Sequence, residues 1–214
     1  MPSSKPSLFS VFSVLAAATV LLGLSARADA AGDAARGKFL SYTCLGCHGI
    51  ANYKNVYPTY SVPKLMGQHP EYIVAALKAY KSKERGHATM HAQAVSLSDQ
   101  DMEDIAVYVA GTPLNPGATA LGSAPSKVTE LCVACHGKDG VGITPDYPTL
   151  AGQHEDYLLR ALEEYKKGDR KNPIMGGFVT TLSTAELETI ARYYAQQRPE
   201  LLTARRRVFW FSAQ

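Results

Sequence analysis

Apolar residues along this chain follow two different rules. Leu8 to Leu24 form one nearly unbroken apolar run behind Lys5, whereas from Asp33 onward the apolar positions recur at helical spacing. Asp33 is placed to cap a short helix that carries Phe39 and Leu40. A longer helix is predicted over 71–83, with Tyr72, Ala75, Ala76, Ala79 and Tyr80 at i, i+3 and i+4 spacing. Ser98-Asp99-Gln100-Asp101 and Ser183-Thr184-Ala185-Glu186 place a serine three residues before an acid, the pattern that opens a helix by mutual capping. The helices they open carry Ile105 and Tyr108 in one case and Ile190 and Tyr193 in the other. No stretch alternates with the period of a strand, so the predicted class is all-α.

The helical pattern occurs twice. From Gly67 to Ala110 the chain aligns without a gap to a second segment at an offset of 85 residues, with 17 of 44 positions identical. Agreement at that level over several elements marks an internal duplication. Pro63-Lys64-Leu65-Met66-Gly67-Gln68-His69 returns as Pro148-Thr149-Leu150-Ala151-Gly152-Gln153-His154. Two tandem domains are therefore predicted, over 31–112 and 123–200. A Pro- and Gly-rich linker over 113–122 joins them, and a tail over 201–214 follows.

Length and charge narrow the class. Each domain is small for a self-sufficient core, so something must supplement it. A net charge of +3 is too weak to argue for nucleic acid. Lys5, the apolar run and the small-x-small motif Ala28-Asp29-Ala30 make residues 1–30 a secretory signal peptide, with the mature chain starting near Ala31. An uncleaved anchor is the alternative. Both put the remainder outside the cytoplasm, which in a bacterium is the periplasm.

All four cysteines fall in two copies of one motif, Cys44-Leu45-Gly46-Cys47-His48 and Cys132-Val133-Ala134-Cys135-His136. Cys-x-x-Cys-His is the attachment pattern for a c-type haem. Two thiols add to the two vinyl groups on one edge of the ring, and the adjacent histidine reaches the iron. The attached ring also supplies the apolar mass that a small domain lacks. A single four-thiolate zinc site, two disulfides or thioredoxin-like pairs would each use the cysteines. None needs a histidine after the second cysteine of both copies.

The sixth ligand separates an electron carrier from an enzyme. Met175 is the only methionine of the second copy, and Met90 stands opposite it in the alignment. Both fall in a predicted loop about eight residues before the last helix of their copy. Met66 is matched by Ala151, and Met102 by Leu187, which reads as core. Among the histidines, His69 and His154 are paired just before helix starts, where capping or surface exposure is expected. His87 and His91 are matched by Asn172 and Gly176, so neither is a duplicated ligand. Pro63 and Pro148 are candidate outer partners, because a proline carbonyl can accept the Nδ1 hydrogen of His48 or His136 and so fix the tautomer.

These motifs together resemble the dihaem cytochromes c4, built from two class I cytochrome c domains. The resemblance runs from Asp33 to about Gln197. It implies two covalently bound haem c groups, held by Cys44 and Cys47 and by Cys132 and Cys135, with His48 and Met90 on one iron and His136 and Met175 on the other. It also implies a periplasmic electron shuttle, associated with the inner membrane in many members, that carries electrons from a quinol-oxidising complex to a terminal oxidase. With both axial positions filled there is no substrate position, so no catalytic residue is expected. The alternatives are an electron-accepting subunit of a periplasmic dehydrogenase and a dihaem peroxidase. Two features depart from the family pattern. The segment Ile50 to Val62 is rich in tyrosine and lacks the glycine-rich run Gly137 to Gly142 of the second copy, and residues 199–214 extend beyond the repeat. In that extension, Arg205-Arg206-Arg207-Val208-Phe209-Trp210-Phe211 combines cations with aromatics in a way that suits an anionic membrane surface.

Overall fold

The computed structural model describes residues 32–204. Residues 1–30, read above as a signal peptide, and the cluster Arg205 to Phe211 lie outside the described residues. In the first half, α1 (Ala34–Leu40), α2 (Leu45–His48), α3 (Pro70–Lys81), α4 (Ala88–Ala94) and α5 (Asp99–Ala110) follow one another. In the second, a π-helical turn (Val128–Cys132) runs into α6 (Val133–His136), followed by α7 (Glu155–Lys167), α8 (Pro173–Val179) and α9 (Thr184–Ala195). Extended backbone among the described residues pairs only in isolated bridges. No helix among them is long and apolar enough to cross a membrane.

Local chemistry accounts for the helix starts. The Asp33 carboxylate accepts from the N–H groups of Ala35 and Arg36 and opens α1. Ser98 and Asp101 open α5 by a reciprocal capping box, and Ser183 and Glu186 do the same for α9. α1 lies so close to α5 that a Cβ on Gly37 would overlap the Asp104 carbonyl. Arg36 ties the same pair together through ion pairs to Asp101 and Asp104.

Each half buries its own core. Ile73, Leu77 and Tyr80 of α3 pack on Met102, Ile105 and Val109 of α5, while Leu158 of α7 packs with Leu187, Ile190 and Tyr194 of α9. The buried line of α3 is thus Ile73, Leu77 and Tyr80, whereas Ala75 is exposed. The predicted stripe was rotated because it followed the more numerous alanines, and area removed from water favours the larger isoleucine and leucine.

The two halves meet along a seam that repeats the duplication. Gly86 N–H donates to the Asp169 carbonyl (3.1 Å) and Lys171 N–H to the Glu84 carbonyl (2.7 Å), so the same loop of each half pairs with its counterpart. The linker leaves α5 through Gly111, and its Gly117 and Ala118 N–H groups donate to the buried Asp139 carboxylate (2.8 and 2.9 Å). The segment read as a tail starts as packed structure. Leu201 is fully buried, its N–H reaches the Ala151 carbonyl (2.9 Å), and Leu202 pairs with Met66 in both directions (2.9 and 3.0 Å). Met66 and Ala151 are equivalent positions of the repeat, so residues 201 and 202 fasten both copies at the same place.

Candidate functional site

The two histidines of the cysteine motifs have matching surroundings. His48 Nδ1 lies 2.9 Å from the Pro63 carbonyl oxygen, and His136 Nδ1 lies 2.9 Å from that of Pro148. A carbonyl oxygen only accepts, so each Nδ1 carries the hydrogen and each Nε2 keeps a free lone pair. Burial lowers the pKa of both imidazoles, which favours the neutral form a metal requires. None of the four cysteines is paired with another in a disulfide. Burial pushes the Cys44 thiol up, and that of Cys132 up to about 11. The pairs lie in different halves, and among the described residues no three His, Cys, Asp or Glu side chains converge as a metal cluster.

Cys44, Cys47, His48, Pro63 and Met90 of the first half line one apolar cavity of about 190 Å³, whose wall also takes in Gln68 and, from across the seam, Thr149 and Gln153. Met66 is not part of its wall; its backbone is engaged by Leu202 instead. Met102 is fully buried in the core. Met90 and Met175 lie in the first turns of α4 and α8, where a loop had been expected. The cause is the residue before each helix. His87 Nδ1 accepts from the Met90 N–H (3.2 Å), and Asn172 Oδ1 accepts from the Met175 N–H (3.0 Å). His87 and Asn172 stand opposite each other in the repeat and thus do the same work, although they are different residue types. In the second half, Met175 packs against the core together with Cys132 and Leu150, and the Tyr147 ring stands edge-on to His136 at 6.4 Å.

The remaining histidines have other partners. The His87 ring meets Tyr60 and Tyr80 edge-on at 6.4 and 6.3 Å, and His91 Nδ1 lies 3.0 Å from the Tyr80 carbonyl. His69 corrects the expectation of capping or exposure. It is buried, makes no side-chain cap, and places Nε2 3.2 Å from the Gly142 carbonyl across the seam. Its counterpart His154 also makes no side-chain cap.

Sequence reasoning missed a pair of buried arginines. Arg85 lies over the rings of Tyr72 and Tyr80 (5.3 and 5.6 Å), and Arg170 lies over Tyr157 and Tyr165 (5.8 and 5.2 Å). All six residues recur at the repeat offset, and that was the available signal. Glu164 approaches Arg170 (3.4 Å), but its repeat counterpart is Ala79, and Arg85 has no carboxylate in ion-pair distance among the described residues. Arg170 Nε is buried without a hydrogen-bond partner. Two buried cations beside one carboxylate are short of negative charge. Arg85 is also part of the cavity wall that holds Cys44, Cys47 and His48. A haem fits this donor set: thiols for its vinyl edge, a histidine Nε2 for its iron, apolar walls for its faces, and guanidinium for its propionates.

Two helical units with duplicated Cys-x-x-Cys-His motifs, each histidine oriented by a proline carbonyl, define a c-type cytochrome with two haem-carrying domains. The cytochrome c family model matches residues 34–113 and 126–197. Cytochrome c4 of Pseudomonas aeruginosa is 34% identical over 196 residues, covering 84% of this chain and 96% of that protein. The solved Acidithiobacillus ferrooxidans cytochrome c4 is 30% identical, with a TM-score of 0.59 over 72% of this chain and 98% of that one. A thiosulfate dehydrogenase electron acceptor of Stutzerimonas stutzeri is 30% identical over 169 residues, covering 71% of this chain and 77% of that protein. The chain belongs to the cytochrome c4 family. It is a dihaem c-type cytochrome of electron transfer, with two covalently bound haem c groups.

Proposed function

We propose that this chain is a periplasmic shuttle that accepts electrons from a quinol-oxidising complex and delivers them to a terminal oxidase. The observation that supports this reading is the first cavity, which is lined by both His48, held by Pro63, and Met90, held by the α4 cap. In this reading His48 and Met90 would hold the iron of haem 1, and His136 and Met175 that of haem 2. Cys44, Cys47, Cys132 and Cys135 form the thioether links. Bound haem c supplies a one-electron Fe(III)/Fe(II) couple. The residues around it do the rest. Pro63 and Pro148 keep the imidazoles in one tautomer, the apolar walls exclude water, and the methionines fill the last coordination position and so exclude substrate. No catalytic residue follows. The motif over residues 1–30 supports export, with mature protein starting near Ala31, and the cluster Arg205 to Phe211 supports peripheral association with an anionic membrane face.

The similarity to a thiosulfate dehydrogenase electron acceptor favours a second reading, in which the donor is a periplasmic dehydrogenase. Anaerobic stopped-flow mixing of oxidised holoprotein distinguishes the two. The shuttle reading predicts fast reduction by the quinol-oxidising complex with quinol, and slow reduction by the dehydrogenase with thiosulfate. The reverse order of rates assigns the chain to the dehydrogenase.

A further inference from the structure

The repeated Gly-Gln-His segment has its explanation in the seam. Gln68 Oε1 accepts from the Thr149 N–H (2.8 Å) while its Nε2 donates to the Thr149 carbonyl (2.9 Å). Gln153 does the same to Lys64, accepting from its N–H (2.9 Å) and donating to its carbonyl (3.0 Å). Both glutamines are buried, and Lys64 and Thr149 are equivalent positions. Each half therefore grips the other half's backbone at the residue after its proline.

That residue shares a peptide unit with the proline carbonyl. The Thr149 N–H and the Pro148 C=O are two ends of one amide, and so are the Lys64 N–H and the Pro63 C=O. His136 Nδ1–H donates to the Pro148 oxygen, the same amide donates its N–H to Gln68 Oε1, and the mirror chain runs from His48 through Pro63 and Lys64 to Gln153. A peptide whose N–H is engaged is a stronger acceptor at its oxygen, because the two bonds polarise the amide in the same sense. A stronger acceptor at Nδ1 makes the imidazole a better donor to a metal.

We propose that Gln68 and Gln153 are positioning residues that act crosswise: Gln68, in the first half, sets the donor strength of His136 and thus the potential of haem 2, and Gln153 sets that of haem 1 through His48. This rests on the assignment of His48 and His136 as iron ligands. Loss of a glutamine weakens the Nδ1–H bond in the opposite half, reduces donation to Fe(III), and raises that haem's potential.

The test is a spectroelectrochemical titration of the full dihaem protein with Gln68→Met and Gln153→Met, which keep the side-chain length without the amide. Met90→His in a separate variant marks the haem 1 wave by lowering it. Both glutamines border the haem 1 cavity, so haem 2 carries the decision: Gln68→Met is expected to raise the haem 2 wave, and Gln153→Met to raise haem 1 while leaving haem 2 in place. A shift of haem 1 alone in Gln68→Met, or a shift of haem 2 in Gln153→Met, overturns the proposal, as does no shift in either variant. Should a methionine variant fail to take up haem, Gln68→Asn and Gln153→Asn keep an amide in the seam but fall one methylene short of the partner peptide, and the same crosswise rise is required of them. If Met90→His moves neither wave, the assignment of Met90 in the proposed function fails, while the crosswise link is still judged by whether the two glutamine variants raise different waves; if it marks haem 1 cleanly, a failure in the glutamine variants belongs to the crosswise link alone.

Discussion

Met90 and Met66 show what a single position can decide. Both belong to the first copy, but Met90 is in the wall of the cavity with His48, whereas Met66 is held in the seam by Leu202. Replacing Met90 by His should lower the haem 1 potential by on the order of 100 mV, since imidazole in place of thioether favours Fe(III). Met66→His should leave the haem 1 spectrum nearly unchanged. Potentiometry with visible spectra checks both, and a large shift from Met66→His would reverse the assignment. The cysteines, the motif histidines and the two prolines could be singled out from the sequence because each repeats with its neighbours. The roles of His87 and Asn172 could not, because unlike side chains make the same hydrogen bond to the residue three positions on. Arg85 and Arg170 were visible as a repeat, but not as buried residues, because arginine is ordinarily exposed.

At the scale of the helix, capping was the most legible signal, since it depends on residues close in sequence. α5 and α9 begin where their Ser-x-x-acid patterns place them. Ser183→Ala should therefore cost about 1 kcal/mol of stability, read as a lower urea midpoint. The α5 cap adds a pH dependence. Bonds from the Ser98 hydroxyl and N–H, then from Arg36, hold the Asp101 carboxyl at about 2, below the ordinary carboxylate range. A depressed folded value means that the stabilisation is complete above the unfolded pKa of about 4 and disappears as pH falls from there to about 2. Asp101→Asn should lower the denaturation midpoint at neutral pH, and its deficit relative to the parent should close across that window. A deficit that stays constant down to pH 2 would show that charge plays no part. The α3 face was harder to read, because the apolar residues on that helix exceed one stripe and only packing against α5 selects Ile73 and Leu77.

The whole molecule is held by contacts between residues far apart in the chain, and sequence periodicity says nothing about these. The duplication showed that there were two halves; it did not show how they join. Leu201, outside the repeat, is fully buried, with its δ carbon next to the site a Cβ on Gly67 would occupy and its N–H on Ala151. Leu201→Ala should cost about 3 kcal/mol, a cavity-forming loss that urea denaturation measures. A cost below about 1 kcal/mol would mean that the segment only rests on the surface. The same packing fixes where truncation should fall to test the basic-aromatic cluster. Ending the chain after Ala204 leaves the seam whole, and it should reduce cosedimentation with anionic vesicles while leaving neutral vesicles unaffected. Equal binding by the truncated protein would remove the membrane role.

The proposed function requires two electron-carrying centres with filled coordination shells in one chain. Coulometric titration of the intact holoprotein, followed by visible spectroscopy and by exposure of the reduced form to carbon monoxide, tests this most directly. The predicted result is two electrons per chain, low-spin spectra throughout and no carbon monoxide adduct. One electron per chain, or an adduct in the unmodified protein, would contradict it.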